Sequence, residues 1–129
     1  MPMSSDLCPC TSGKPFASCC GPYLARSSKA KTVKQLMRSR YSAFALGGHG
    51  DYLLETWYPG SAGALTAESL SAKTFNWQGL TILDFRHKGD EGMVKFEARY
   101  LDDEGKPELL QEVSRFIRVS GLWLYLDSE

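Results

Sequence analysis

"MVKFEARYLDDEGKPELLQEVSRFIRVSGLWLYLD", residues 93–127, alternates apolar and polar side chains with a period of two. Val94, Phe96, Ala98 and Tyr100 fall on one face of an extended chain, and Lys95, Glu97 and Arg99 on the other, the pattern of a strand buried on one side. "DDEGKP" and "SG" are rich in turn formers and divide the stretch into strands at about 92–101, 109–119 and 122–127. Upstream, "KGDEG" ends a further strand at about 75–87. Before residue 75 the period changes. Val33, Leu36, Met37, Tyr41 and Phe44 recur at helical spacing, with Thr32 and Gln35 as a T-x-x-Q capping box and Gly47–Gly48 as the stop. A second short helix is expected from Asp51 to Trp57, with Leu53, Leu54 and Trp57 inward and Pro59–Gly60 ending it. Thr66 caps a further turn containing Leu70. Helices first and a meander afterwards predict an α+β domain, a curved antiparallel sheet with helices packed on its inner face.

The 129 residues suit one core with a small appendage, and 43% apolar with 23% charged side chains is ordinary for a soluble chain. No basic-then-apolar leader opens the sequence, and no apolar run approaches the roughly 20 residues a spanning helix needs, so a cytoplasmic protein without a membrane span is expected. The formal net charge of zero hides an asymmetry, +6 over residues 1–40 against −6 over the rest. That basic excess is spread rather than clustered, which argues against nucleic acid as the partner. Ribosome or nucleic-acid binding through the basic third stays the weakest alternative, and it predicts steep salt dependence.

All four cysteines lie in "CPCTSGKPFASCCGPY", residues 8–23. Bridges within Cys8/Cys10 or Cys19/Cys20 would close strained rings, and a reducing compartment disfavours disulfides altogether. The C-x-x-C spacing of a thioredoxin-type redox site is missing. Two short pairs separated by eight residues can instead present four thiolates to one tetrahedral ion, and zinc is the natural choice. A closed four-thiolate site leaves no position for a reacting water, so one structural Zn²⁺ on Cys8, Cys10, Cys19 and Cys20 is expected. His49 or His87 as a different fourth ligand, and reactive thiols, are the alternatives. Loss of the ion is expected to disorder residues 8–22 alone.

The run C-P-C-x-S-G-K followed by C-C resembles the SEC-C motif, known as the zinc-binding tail of the bacterial preprotein translocase ATPase. Thr11 stands where that motif usually has glycine, which puts the local turn in question but not the ligands. "LMRSRYSAFALG", "YLLETWYP", "FNWQGLTIL", "VKFEARY" and "EVSRFIRVSGLWLYLD" extend the likeness, in order, to the YchJ-like family of bacterial proteins. The resemblance implies a SEC-C segment over residues 1–25 and a nuclear-transport-factor-two-like (NTF2-like, cystatin-related) cone over 26–129. It implies no reaction. By analogy with the translocase tail, the zinc segment would be a knuckle for a protein partner, near protein export or translation.

Cones of this kind often enclose a ligand, and Arg38, Tyr41, Glu55, Glu112 and Arg115 are the candidate pocket residues, with Arg40 and Ser114 beside them. A cone enzyme or small-molecule binder with a Glu/Arg pocket is the alternative function, with Glu112 as base or anchor. The bland account of the same residues is a carboxylate–guanidinium pair tying helix to sheet. No triad, H-E-x-x-H or phosphate-loop pattern is present, and no catalytic residue is assigned. The last strand is apolar on both sides, Trp123 and Tyr125 opposite Leu122, Leu124 and Leu126, so a homodimer through the sheet is expected. Light scattering that shows a monomer at all micromolar concentrations would remove it.

Overall fold

In a computed structural model, described over residues 7–72 and 76–128, the period-two region forms four antiparallel strands in the order β1-β2-β3-β4. They are β1 (Asn76–Lys88), β2 (Glu91–Leu101), β3 (Pro107–Val119) and β4 (Leu122–Ser128). Residue 75, the expected start of the first strand, lies outside the described residues. Alternation holds on β2, where Val94, Phe96 and Ala98 are buried beneath the helices. It breaks on β1, whose pairing with β2 shifts between Trp77 and Gly79 and again between Ile82 and Asp84. These irregularities bring Trp77, Leu80, Ile82 and Phe85 opposite Tyr100, Ala98, Phe96 and Val94, all on the inner face. An uninterrupted alternation would have sent two of the four outward. Bulges of this kind also bend a strand, which gives the sheet its curve.

The helices precede the sheet in the chain: α1 (Gly21–Leu24), α2 (Val33–Leu46), α3 (Gly50–Glu55), α4 (Pro59–Ala62) and α5 (Ala67–Leu70). Thr32 caps α2, its Oγ1 accepting the Gln35 N–H at 3.1 Å. The expected box is not reciprocal, because Gln35 Oε1 accepts from Lys31 N–H at 2.8 Å, one residue further back. At Thr66 the box does close, with Ser69 as its partner. Pro59, read as a stop, begins a short helix; proline suits a first helical turn, where its missing N–H costs nothing.

α2 is enclosed on two sides. Val33, Leu36 and Tyr41 join Leu80, Val94, Phe96, Phe116 and Trp123 in the main core, while Ala43 packs with Tyr52, Leu53 and Leu70 in a second cluster. Ser39 and Ser42 are fully buried, and the Ser39 hydroxyl meets Tyr52 Oη at 2.7 Å. Gly50 is buried where α3 meets α5, and a Cβ there would run into the Ala67 carbonyl oxygen. Gly50→Ala is therefore expected to cost about 2–3 kcal/mol, because backbone rather than a flexible side chain must move. A urea-unfolding midpoint unchanged by that substitution would show that the two helices separate freely.

Both edges of the sheet are closed by pieces that are not strands of it. On β4, Tyr58 N–H donates to Tyr125 O at 2.8 Å and Tyr125 N–H donates to Thr56 O at 2.7 Å. On β1, the outward N–H and C=O of Leu80 lie 3.0 and 2.9 Å from Thr11 Oγ1. The cysteine segment is thus bound to the sheet.

Candidate functional site

The N-terminal segment folds as two opposed turns. Cys8 N–H donates to Lys14 O at 2.9 Å and Thr11 N–H to Cys8 O at 3.0 Å, closing the first turn around Gly13, whose φ of 88° suits glycine. A 3-10 turn at Phe16–Ser18 then leads into α1, and the Cys20 carbonyl accepts from Tyr23 and Leu24 N–H. The four Sγ atoms all lie within 4.8 Å of one another, with Cys10–Cys19 at 3.6 Å and Cys19–Cys20 at 4.0 Å. A tetrahedral ion with 2.3 Å bonds to sulfur separates its ligands by about 3.8 Å, so these spacings fit one ion, whereas a disulfide needs about 2.05 Å. Neither His49 nor His87 belongs to the group, which among the described residues is the four cysteines alone.

The surroundings favour thiolate. Arg38 Nη1 donates to Cys10 O at 3.0 Å and reaches Cys10 Sγ at 3.6 Å. Ser12 Oγ lies 3.1 Å from Cys19 Sγ, and Ser42 Oγ 3.5 Å from Cys8 Sγ. Hydrogen bonds from the Cys20 and Cys8 thiols hold the Cys10 thiol well below its ordinary range, and the same contact with Cys10 pushes Cys20 up. Burial raises Cys19. A bound cation would replace those thiol donors and let all four sulfurs carry charge together. Cys8, Cys10 and Cys20 are buried in the same core as Val33, Leu36, Tyr41 and Leu80. The cysteine turns are thus one wall of the cone's core. Thr11, whose replacement of glycine left the turn in doubt, adopts φ 58° and spends its hydroxyl on Leu80.

A second feature lies between α2 and the sheet, a cavity of about 280 Å³. Of the candidate pocket residues, Tyr41 and Glu112 line it, together with Arg40 and Ser114. The other three are elsewhere. Arg38 serves the cysteines, while Glu55 receives Arg26 Nε at 3.1 Å and Nη2 at 2.7 Å on the surface. Arg115 is held by Asp127 at 2.6 Å on the outer face of the sheet, as its place in the alternation dictates. Glu112 accepts from Ser128 Oγ at 3.2 Å, which in turn meets Tyr125 Oη at 2.7 Å, at an exposed rim.

Arg40, read from the sequence only as a neighbour of the pocket residues, is the cavity's internal charge. It is only 4% exposed, with its guanidinium 4.8 Å from the ring centres of both Trp57 and Tyr125. Nη1 donates to Leu53 O at 2.8 Å and Thr56 Oγ1 at 2.7 Å, and among the described residues no carboxylate pairs with it. Burial pushes its pKa down to about 10, which still leaves it charged at neutral pH. Trp57 and Tyr125 meet edge-on, 5.0 Å apart, because the 56–58 segment pairs with β4 there. A lone arginine in a helical heptad reads as surface; the signal that marked it was its place one turn from Phe44 and next to Tyr41, on the apolar stripe.

Fold and sulfur cluster together define a SEC-C protein with an NTF2-like domain. A family model for the SEC-C motif matches residues 5–22, and one described as "YchJ, middle NTF2-like domain" matches 32–128. The chain belongs to the YchJ family of UPF0225 proteins. It is 41% identical to UPF0225 protein PC1_1977 of Pectobacterium carotovorum, covering 95% of this chain and 83% of that one. UPF0225 protein YchJ of Shigella dysenteriae is 39% identical, with 95% and 82% covered. Among solved structures, that of RPA3114, a SEC-C motif containing protein from Rhodopseudomonas palustris, superposes with a TM-score of 0.86 at 35% identity, over 95% of this chain and 96% of that one.

Proposed function

We propose that this protein binds a small ligand in its cone and that the four cysteines hold one structural zinc ion. One observation carries both halves: three of the four ligating residues are buried in the core shared with the cone. Four protein sulfurs complete a tetrahedral ion, so no position remains for a substrate, and the ion's work is to hold chain segments together. The cavity between α2 and the sheet is then the place for a small molecule. Glu112 accepts from Ser128 Oγ at the rim, so the cavity's internal charge is that of Arg40.

Nucleic acid is a poor fit to the basic third. Arg26 pairs with Asp51 and Glu55, Arg38 faces Cys10, Arg40 is internal, and Lys34 lies over the Phe85 ring. Docking of a protein on the N-terminal segment is the second reading, favoured by an open polar hollow where Lys14, Lys34 and Arg38 converge beside Cys19. Such a partner would be acidic, and its binding would fall with added salt.

Native mass spectrometry of protein purified without chelator tests the metal. One zinc per chain is expected, with the mass of the thiols and not of disulfides. Iron in its place, or four free thiols without metal, would refute the zinc assignment.

A further inference from the structure

We infer that the cone cavity is a site for a small organic monoanion, an aryl or branched alkyl carboxylate whose charged end meets Arg40. The inference rests on the reading that the cavity binds a ligand, and it names the class of that ligand.

Two buried donors around this cavity lack an acceptor, and a buried guanidinium beside them lacks a carboxylate. Arg40 uses Nη1 on Leu53 and Thr56, while its Nε and Nη2 make no hydrogen bond among the described residues. Tyr41 Oη and Trp57 Nε1 are both buried, both without a partner among the described residues. Burial pushes the Tyr41 phenol up to about 12, so its proton stays on and remains available to donate. A buried donor left unmade costs about 1–3 kcal/mol, and a buried charge without a counter-charge more. Arg40 and the Trp57 indole lie together, the guanidinium 4.8 Å from that ring centre, and both are donors. A carboxylate there would supply acceptor oxygens and a negative charge at once.

The remaining lining sets the other end of the ligand. Met37, Phe44, Phe96 and Leu110 offer apolar surface only, so the body of the ligand is hydrocarbon. Size narrows it further. A dry cavity of about 150 Å³ takes benzene, and drug-sized pockets begin at about 300 Å³. The 280 Å³ here suits one substituted ring or a branched chain of similar bulk. Glu112 at the Ser128 rim is negative, and it selects against a second carboxylate on the ligand.

The test titrates the zinc-loaded full chain with benzoate, its neutral analogue benzyl alcohol, and the dianion phthalate. Two readouts are followed, tryptophan fluorescence and the Trp57 indole N–H resonance in ¹⁵N NMR. Benzoate is expected to bind about tenfold or more tighter than either of the others, a difference of about 1.4 kcal/mol, and to move the indole proton downfield. Arg40→Met keeps the bulk and removes the charge, so benzoate should fall to the level of benzyl alcohol while benzyl alcohol is unchanged. Should that variant fail to fold, Trp57→Phe keeps a ring and removes the indole donor, and by the fluorescence of the remaining tryptophans it should weaken benzoate about threefold or more with little effect on the alcohol. Benzoate binding no tighter than benzyl alcohol to the wild-type chain would overturn the anion assignment and leave the ligand-binding cone standing. No response to any of the three at about 10 mM would overturn both.

Discussion

Chelating the proposed zinc from the folded protein is expected to lower its melting temperature by roughly 15 °C or more, and adding zinc back to restore it. The magnitude follows from where the sulfurs are. Structural zinc sites in small peptides contribute about 10–16 kcal/mol of apparent binding energy, and even a third of that is large beside a domain's whole stability. At this chain length each kcal/mol moves the midpoint by about 4 °C. Without the ion, Cys8, Cys10 and Cys20 remain packed beside Leu36, Tyr41 and Leu80, but nothing ties the two cysteine turns to each other. The damage is therefore expected to spread into α2 and β1, whereas the small size of the cysteine segment led to the expectation that it stops at residue 22. Differential scanning calorimetry decides between them. A cone transition within about 2 °C of the loaded protein would show that the cysteine segment is a removable appendage after all.

Phe116→Ala is expected to cost about 4 kcal/mol. Phe116 is 1% exposed and the largest of the fully buried side chains, and its ring meets Tyr125 edge-on at 5.9 Å. Deleting a buried phenyl removes its transfer free energy and leaves a void that a sheet closed on both edges cannot easily collapse. The same change takes away the backing of Tyr125, one of the two rings that flank Arg40, so the cavity loosens with the core. Urea unfolding followed by tryptophan fluorescence measures the loss, and a cost under about 1 kcal/mol would mean that the sheet repacks around the gap.

The strand region was legible because Val94, Phe96, Ala98 and Tyr100 sit on a strand without irregularities, so period and burial coincide. β1 was legible as a strand but not in its register, since nothing in "NWQGLTILDF" announces two shifts of pairing. The caps at Thr32 and Thr66 could be read because capping is local chemistry, and Gln35 escaped only because Lys31 offered it a nearer N–H. The cysteines were legible as a group from spacing. Their burial was not, because it depends on contacts 28 to 69 residues away, Arg38 to Cys10 and Thr11 to Leu80 among them. The pocket list divided for the same reason. Tyr41, Glu112 and the outward Arg115 follow from facing rules within one element, whereas Arg38 and Glu55 were claimed by neighbours from distant parts of the chain.

Thr11 has a role beyond binding one segment to another. A strand at the border of a sheet is a template on which any extended peptide can grow, and proteins with such borders clump unless the template is masked. Here the mask over Leu80 is the hydroxyl of a residue in the cysteine loop. With the proposed zinc in that loop, loss of the ion would be expected to uncover the border, beside Leu83 and Phe85, which are already 43% and 49% exposed. Metal shortage would then be expected to show itself first as self-association of the chain, before any ligand is lost.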